Sequence, residues 1–276
     1  MMKQRIGKIT AAAMAVMLLL SGCSGTNVPV GTDDKVREEE EMQRSLEDTN
    51  PEFVQIMEQF IKEDVSGRSV LLDSQQKQLI ALVSLVSQQS EYMLKEQVEE
   101  ALAEGVDVIQ IREAVYQCAP YVGMARVADA IGIMNGVFEE QGISLPLENQ
   151  GTVEAGARFE KGLDAQARIF GNGMRQIAAA PDSMSRSSYD LVINCFGDYY
   201  TRDGLDLETR EMLTLAMLVN LGTESQINSH IAGNSNMGRD KEFISEIIYQ
   251  CLPYAGYPRI LNALNCLEAV IPDETP

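Results

Sequence analysis

Glu211 and His230 are the two side chains of this sequence best suited to proton chemistry. His230 is the only histidine in the 276 residues. If the chain forms a helical hairpin that turns at Gly222, a rise of about 1.5 Å per residue leaves the two side chains only about 5 Å apart along the helix axes. A carboxylate that holds one imidazole nitrogen leaves the other as general base or acid near neutral pH. The pair could therefore transfer a proton at a lactone or assist a decarboxylation that leaves a stabilised carbanion.

The same residues allow other interpretations. His230 could be a hydrogen-bonded residue between packed helices, and Glu211 an exposed one. Arg210 and Arg259 could bind a substrate carboxylate, or both could simply be solvated at the surface. One histidine with scattered carboxylates supplies no cluster of metal ligands, so neither a metal site nor a cofactor is expected.

An internal repeat places the candidate pair in only one of two copies. The segment 116–123 (YQCAPYVG) recurs as 249–256 (YQCLPYAG), 133 positions later, and the same offset pairs residues 72–73 with 205–206 without a gap. Where the second copy has Glu211 and His230, the first has Gln78 and Gln97. The sequence therefore predicts a duplicated domain in which only the second copy is equipped for acid–base chemistry.

Hydrophobic periodicity predicts helices almost throughout the chain after residue 50, and no alternating run is long enough for a convincing strand. Gly222 and Gly238 are predicted to end helices in the second copy, and helices of the first copy end at equivalent places. In the first copy Asp107 and Gln110 have capping-box spacing, which predicts a helix start. The predicted fold is all-α, with two tandem helical domains. Their predicted bounds are 50–145 for the degenerate first domain, 142–151 for the linker and 153–276 for the second domain.

Several segments of the second copy form a distinctive pattern. They are 204–211 (GLDLETRE), 213–216 (LTLA), His230-Ile231 with Gly233, Asn236 and Gly238, 253–258 (PYAGYP) and 262–264 (NAL), together with 159–163 (FEKGL) and 196–205 upstream. This pattern resembles the carboxymuconolactone decarboxylase family, which has an alkylhydroperoxidase D-like fold. The resemblance is weaker over 50–142, where it depends on the repeat. It implies an all-helical domain that assembles as a hexameric ring, which two domains per chain would imitate as a homotrimer.

The resembling family has two chemical branches. Its alkylhydroperoxidase D-like branch carries a Cys-x-x-Cys with a histidine four residues later, and the matching positions here are Thr223 and Gln226. Disulfide exchange needs an attacking and a resolving sulfur, so peroxidase or peroxiredoxin-like activity at this site is disfavoured. Thr223 and Gln226 instead have capping-box spacing. The decarboxylase branch leaves Glu211 and His230 as the candidate catalytic pair of a lyase.

The remaining cysteines offer weaker signals. Cys118 and Cys251 occupy matching places on apolar stripes, which predicts buried free thiols. Cys195 or Cys266 could take part in a disulfide in an oxidising compartment, although sequence cannot assign the connectivity. Redox chemistry at Cys195, Cys251 or Cys266 would require a thiol with a lowered pKa in a cavity open to solvent.

The first 22 residues are typical of a bacterial lipoprotein signal peptide. Lys3, Arg5 and Lys8 precede an apolar stretch over 11–20 that ends in Leu20-Ser21-Gly22-Cys23. About ten apolar residues fall short of the roughly twenty that a membrane-spanning helix needs, which disfavours an uncleaved anchor. Cleavage before Cys23 and lipidation of that residue would hold an exported protein on the outer face of a membrane through lipid alone. Residues 23–49 then form an acidic, solvated tether.

Charge and composition leave three classes of function. A net charge of −19 makes nucleic acid and an anionic lipid surface poor partners. The first class is a cofactor-free enzyme acting on a small carboxylated or lactone-like molecule. The second is a binding or assembly protein without turnover, and the third is residual thiol redox chemistry. The apolar faces over 244–252 and 260–271 also exceed what one chain is expected to bury, which favours the homotrimer.

Overall fold

The computed structural model describes residues 46–179 and 184–273, and every regular element within those ranges is helical. The predicted signal peptide (1–22), Cys23 and most of the predicted tether lie outside the described residues. In the described ranges no helix is both long enough and apolar enough to cross a bilayer. The described residues from Pro51 onward form one compact unit.

Helix α1 (Leu46–Thr49) comes before this unit in the chain. The helices of the first repeat follow one another with short turns. They are α2 (Pro51–Glu58), which continues as a π-helix over Gln59–Val65 and a 3₁₀ turn over Ser66–Arg68, α3 (Ser74–Gln88), α4 (Glu91–Ala103), α5 (Val108–Gln117), α6 (Ala119–Val122) and α7 (Met124–Glu140).

The second repeat begins after a segment without regular structure. Its elements are a 3₁₀ turn (Ala155–Ala157), α8 (Arg158–Phe170), α9 (Gly173–Ala179), α10 (Arg186–Leu191), which continues as a π-helix over Val192–Tyr200, α11 (Leu207–Leu221), α12 (Glu224–Asn236), α13 (Lys241–Gln250), α14 (Leu252–Ala255) and α15 (Tyr257–Val270).

The predicted repeat is confirmed at the level of individual helix ends. Helices α3 to α6 map onto α11 to α14 residue for residue at the offset of 133, and so do the first residues of the two π-helices and of α7 and α15. From α3 to α6 and from α11 to α14 the two copies therefore share one backbone plan, and differences between these helices are differences of side chain. Helices α8 and α9 precede this matched part of the second repeat.

Aspartates fix several helix starts through their side chains. Asp107 accepts a hydrogen bond from the backbone of Ile109 at 2.8 Å, and Gln110 closes the predicted capping box. Thr223 was expected to cap α12 in the same way, and that prediction is wrong. Its backbone (φ −98°, ψ 82°) lies away from the extended conformation typical of a cap, and its hydroxyl is buried without a partner among the described residues.

The two repeats share a hydrophobic core. Helices α3 and α11 are its central pair, and each is buried along most of its length. The one-turn helix of each repeat, α6 or α14, packs on the central helix of the other repeat. The candidate pair therefore lies in a scaffold to which both copies contribute.

The apolar faces that suggested an oligomer are covered only in part within the chain. Ile244, Ile247 and Ile260 are buried in the shared core, whereas Tyr249 and Leu261 in the same segments are exposed. The homotrimer itself stays a prediction.

Candidate active site

Glu211 and His230 contact each other across the hairpin of α11 and α12. Glu211 Oε1 lies 2.6 Å from His230 Nδ1, and the hairpin turns at Gly222, whose φ of +72° suits glycine. The predicted proximity is confirmed, but Glu211 is fully buried rather than exposed, and His230 is only 8% exposed. A hydrogen bond between these groups in such a buried place is stronger than the same contact in water.

The contact fixes the tautomer of the histidine. With the Glu211 oxygen as the acceptor, Nδ1–H is the donor of this hydrogen bond. In the neutral ring Nε2 then holds a lone pair, and no described residue donates to it or accepts from it. The second carboxylate oxygen, Glu211 Oε2, is also without a partner among the described residues.

Two neighbours on α12 hold the pair in place. Asn234 donates to the backbone carbonyls of Glu211 (3.2 Å) and His230 (2.8 Å), which links the two helices. Gly233 leaves the space that the carboxylate fills, since a Cβ there would overlap Glu211 Oε1 and lie 2.8 Å from Ile169 Cγ2. The sequence pattern contained Gly233, but only the packing explains why a glycine is required.

Aromatic rings surround the histidine. The Phe170 ring meets it edge-on at 5.3 Å between centroids, and the Tyr121 ring does so at 6.3 Å. Tyr121 belongs to α6 of the first repeat, so the copy without the acid–base pair contributes to the site of the other. Tyr121 was not among the predicted site residues, although the Pro-Tyr repeated in segments 116–123 and 249–256 was a signal that could have identified it.

A chain of hydroxyl groups runs from Tyr121 into the protein. Thr214 donates to the carbonyl of Arg210 at 2.9 Å, so it accepts from Tyr200 at 2.6 Å, and Tyr200 in turn accepts from Tyr121 at 2.6 Å. The Cys195 thiol donates to the Tyr121 oxygen at 3.6 Å. In this arrangement the hydroxyl hydrogens of Tyr121, Tyr200 and Thr214 all point toward the protein interior.

Both tyrosines remain neutral phenols. Burial is the main cause that raises the pKa of Tyr121 well above its ordinary value, followed by the neighbouring Cys195 and Tyr200 groups. Burial and then the Glu211 carboxylate likewise raise the pKa of Tyr200. Such phenols can donate hydrogen bonds but cannot serve as bases near neutral pH.

Arg210 is buried, so the interpretation that it is a solvated surface residue is wrong. Its guanidinium contacts Glu113 (3.3 Å), Gln117 (3.0 Å) and the carbonyls of Arg202 and Asp203. Glu113 and Gln117 lie on α5, so this arginine joins the two repeats. Its hydrogen-bonding groups are largely used within the protein, and substrate binding by Arg210 stays a prediction without support from the geometry.

Arg259 is distant from the acid–base pair. Its side chain is placed beside Gly222, about 16 Å along α11 from Glu211 at 1.5 Å per residue. Substrate binding there likewise remains only a prediction.

Arg239 is nearer to the pair. Burial lowers the pKa of Arg239 overall, while the charges of Asp206, Glu208 and Glu211 act in the opposite direction. No sequence pattern pointed to Arg239.

The cysteines do not meet the conditions set for redox chemistry. All four described cysteines are free and buried, which confirms the expectation for Cys118 and Cys251. Burial raises the pKa of Cys195 to about 12 and that of Cys251 to about 12. Burial and then Glu224 raise the pKa of Cys266. Reactive thiols need the opposite shift.

The first repeat keeps the hairpin geometry without the charge. Gln97 donates to Gln78 across α3 and α4, at the positions that match His230 and Glu211. An amide pair neither takes up nor releases a proton near neutral pH. The fold therefore tolerates a neutral hydrogen bond at this place.

Two regions of the chain match a known protein family. The sequence model of the Carboxymuconolactone decarboxylase family matches residues 51–135 and 190–269, which together exceed half of the chain. The chain is 28% identical over 120 residues to the 4-carboxymuconolactone decarboxylase of Acinetobacter baylyi, an alignment covering 42% of this chain and 88% of that protein. It is 25% identical over 121 residues to a nitrosuccinic acid decarboxylase of Metarhizium robertsii (42% and 82% covered). It is also 30% identical over 87 residues to an uncharacterised 15.0 kDa protein of Paracoccus denitrificans (31% and 65% covered).

Proposed function

Because this chain belongs to the carboxymuconolactone decarboxylase family, we propose that its second repeat performs cofactor-free acid–base chemistry on a small carboxylated or lactone-like molecule. Decarboxylation is the favoured reaction, since two of the similar proteins are named as decarboxylases. The observation that carries the proposal is the 2.6 Å contact between Glu211 and His230, which leaves Nε2 of the ring available.

In the proposed reaction, the C–C bond to the substrate carboxylate breaks and its electron pair remains on the adjacent carbon. A neighbouring carbonyl or comparable acceptor in the substrate delocalises that pair. His230 supplies a proton to the carbon from Nε2, after taking it up from the substrate or from water. Glu211 stabilises the imidazolium that exists between these two transfers.

Tyr121 is proposed to assist through a hydrogen bond. Its hydroxyl can exchange the bond to Tyr200 for one to an oxygen that gains negative charge on the substrate. The phenol is neutral and its ring lies at the edge of the His230 ring, among the aromatic side chains of Phe170 and Phe196. A donor fixed in such an apolar place stabilises developing charge more than it would in water.

The alternative is a protein that binds a small molecule without turnover. The amide pair of the first repeat favours it, because Gln78 and Gln97 show that this hairpin forms without an acid–base pair. The two functions differ in what they require of His230. Only turnover requires that Nε2 of His230 gains and loses a proton.

The test is a turnover assay on the full chain. Small carboxylated lactones and activated dicarboxylic acids would be offered, and release of CO₂ would be measured for the wild type and for the His230→Gln/Glu211→Gln double variant. We expect turnover only in the wild type. Equal CO₂ release by both proteins would reject the catalytic role and leave the binding function.

We further propose that the protein is exported and anchored by lipid on Cys23. The proposal depends on the basic residues before the apolar stretch and on Leu20-Ser21-Gly22-Cys23. A substrate would then have to reach the outer face of a membrane. Acylation at one residue would leave the helical unit itself outside the bilayer.

A further inference from the structure

A cavity of about 260 Å³ lies in the first repeat, at the place that matches the His230 site. Gln78 and Gln97 line it where the second repeat has Glu211 and His230. Tyr254 of α14 also lines it, and this residue matches Tyr121. Each repeat therefore contributes one tyrosine to the site of the other: Tyr121 lies beside His230, and Tyr254 lines this cavity.

Two small residues explain why the first repeat has this space. Gly67 stands at the position of Tyr200, and Ala81 at the position of Thr214, and both line the cavity. The hydroxyl chain of the second repeat is thus replaced by a glycine and a methyl group. The volume that one repeat fills with an aromatic side chain is left open in the other.

The wall of the cavity presents amide groups with unused hydrogen-bonding capacity. Gln250 is 2% exposed, and its Nε2 donates to Ser66 Oγ at 2.8 Å. Its Oε1 is buried without a partner among the described residues. In the second repeat the matching Gln117 uses its Oε1 to accept from Arg210. Gln250 Oε1 is closed off from solvent, so the groups open to a ligand are those of the other two glutamines. The Gln97–Gln78 hydrogen bond uses Gln97 Nε2 and Gln78 Oε1, and no described residue bonds to Gln78 Nε2 or Gln97 Oε1. A ligand in the cavity can accept from the first and donate to the second.

Of the charged residues that line the cavity, Lys62, Glu100 and Glu104 are exposed to solvent and Lys77 is half-buried. Lys77 Nζ donates to the carbonyls of Ser66 and Ser69, each at 2.9 Å. Glu104 accepts from Ser74 at 2.7 Å. Burial, followed by the nearby Glu100 charge, raises the pKa of Tyr254, which stays a neutral phenol. The interior of the cavity therefore offers neutral donors and acceptors and no acid–base pair.

We propose that this cavity, bounded by Gln78, Gln97, Gln250 and Tyr254, binds a small uncharged molecule that carries hydroxyl or carboxamide groups and holds it without turnover. The volume equals about nine water molecules at roughly 30 Å³ each, so the ligand has on the order of nine non-hydrogen atoms. This inference goes beyond the proposed decarboxylation and does not require it, since no residue of the His230 pair lines the cavity.

The test uses erythritol and butyramide as uncharged probes and succinate as a charged comparison. Saturation-transfer NMR and calorimetry would measure their binding to the full chain. We expect an uncharged probe to bind with a Kd on the order of 1 mM. Ala81→Leu, which fills the cavity, and Gln97→Leu, which removes the amide, should each weaken binding by at least about tenfold. His230→Gln should leave binding unchanged, which separates this site from the proposed active site.

Three results would overturn the proposal. They are no binding of either uncharged probe at about 10 mM, unchanged binding in both cavity variants, and tighter binding of succinate than of the uncharged probes. If Ala81→Leu does not fold, as judged by circular dichroism, Ala81→Thr replaces it. Threonine occupies the matching position 214 in the second repeat, and a several-fold loss of affinity would then be the expected result.

Discussion

Glu211 accepts a hydrogen bond from His230 across α11 and α12, and Gln78 accepts one from Gln97 across the matching helices α3 and α4. The same hairpin thus holds an ionisable pair in one repeat and a neutral pair in the other. This relationship makes it feasible to separate the chemistry of the pair from its contribution to stability, because the protein contains its own neutral counterpart.

His230→Gln should abolish most turnover while the protein stays folded. General acid–base catalysis contributes about 10²- to 10⁴-fold, so kcat should fall by at least about 10². Glutamine can still donate to Glu211, so the free energy of unfolding should change by less than about 1 kcal/mol. Steady-state kinetics and urea unfolding measure the two effects.

The matched control is Gln97→Asn in the first repeat, which should leave kcat unchanged. If His230 is only structural, His230→Gln should instead lower stability by about 1 to 3 kcal/mol through a poorly paired buried group. Unchanged turnover with that loss of stability would contradict the catalytic assignment.

Tyr121→Phe should lower turnover although Tyr121 lies in the first repeat. The change removes one hydroxyl from the chain to Tyr200 and keeps the ring beside His230. We expect kcat to fall by about tenfold or more, and stability by about 1 kcal/mol. The control is Tyr254→Phe at the matching position, which should not affect kcat. Equal kinetics for the two variants would show that Tyr121 has no role in turnover.

Gly233→Ala should disturb the carboxylate of Glu211 directly. The added methyl group would overlap Glu211 Oε1 and press on Ile169. Overpacking of this kind costs about 1 to 3 kcal/mol, and a displacement near 1 Å at a catalytic group can cost about 10² in rate. Gly132→Ala provides the comparison, because a Cβ there meets nothing within 4 Å. Gly132→Ala should be as active as the wild type. Normal activity and stability of Gly233→Ala would contradict the close packing around Glu211.

Glu113→Gln should change how stability depends on pH. Burial raises the pKa of Glu113, but hydrogen bonds and charge from Arg202, with help from Arg210 and Arg112, outweigh burial and lower it overall. A carboxyl group with a lowered pKa in the folded state stabilises the protein above its unfolded pKa of about 4.3, and this contribution disappears as the pH falls through the folded pKa.

Unfolding of the wild type and the Glu113→Gln variant should therefore be compared from neutral pH down to about pH 3. We expect the variant to be less stable by about 3 to 5 kcal/mol at neutral pH and to lose less stability on acidification. Glu246→Gln, at the matching position, should show smaller changes, because Glu246 is held mainly by Ser69 and backbone N–H groups. If the stability of the wild type and of Glu113→Gln changed with pH in parallel, the lowered pKa assigned to Glu113 would be refuted.

Cys23→Ala should prevent lipid attachment without altering the helical unit. Intact-mass analysis of membrane-fraction protein from a bacterial host should find a mature chain that begins at acylated Cys23. The variant should lack the acyl mass and show the same far-ultraviolet circular dichroism. A wild-type chain that retains Met1 and carries no modification would contradict the predicted signal peptide.

The local pattern of the sequence was sufficient for the helices, the repeat and the contact between Glu211 and His230. Helix periodicity and the break at Gly222 depend on neighbours in the chain, and the rise per residue sets the level of each side chain in a hairpin. The cap expected at Thr223 failed because the tight connection between α11 and α12 sets the backbone angles there. The capping preference of threonine takes no account of the backbone angles that this short connection imposes.

Only the tertiary structure decided which distant residues share the two sites. Tyr121 reaches the second repeat, Tyr254 reaches the first, and Arg210 is buried against Glu113, because the central helices α3 and α11 pack together and each one-turn helix packs on the opposite repeat. Such contacts join residues far apart in the chain, and their formation depends on shape and burial across the whole core. Sequence spacing predicts what lies within one hairpin, whereas packing between hairpins determines the walls of the sites.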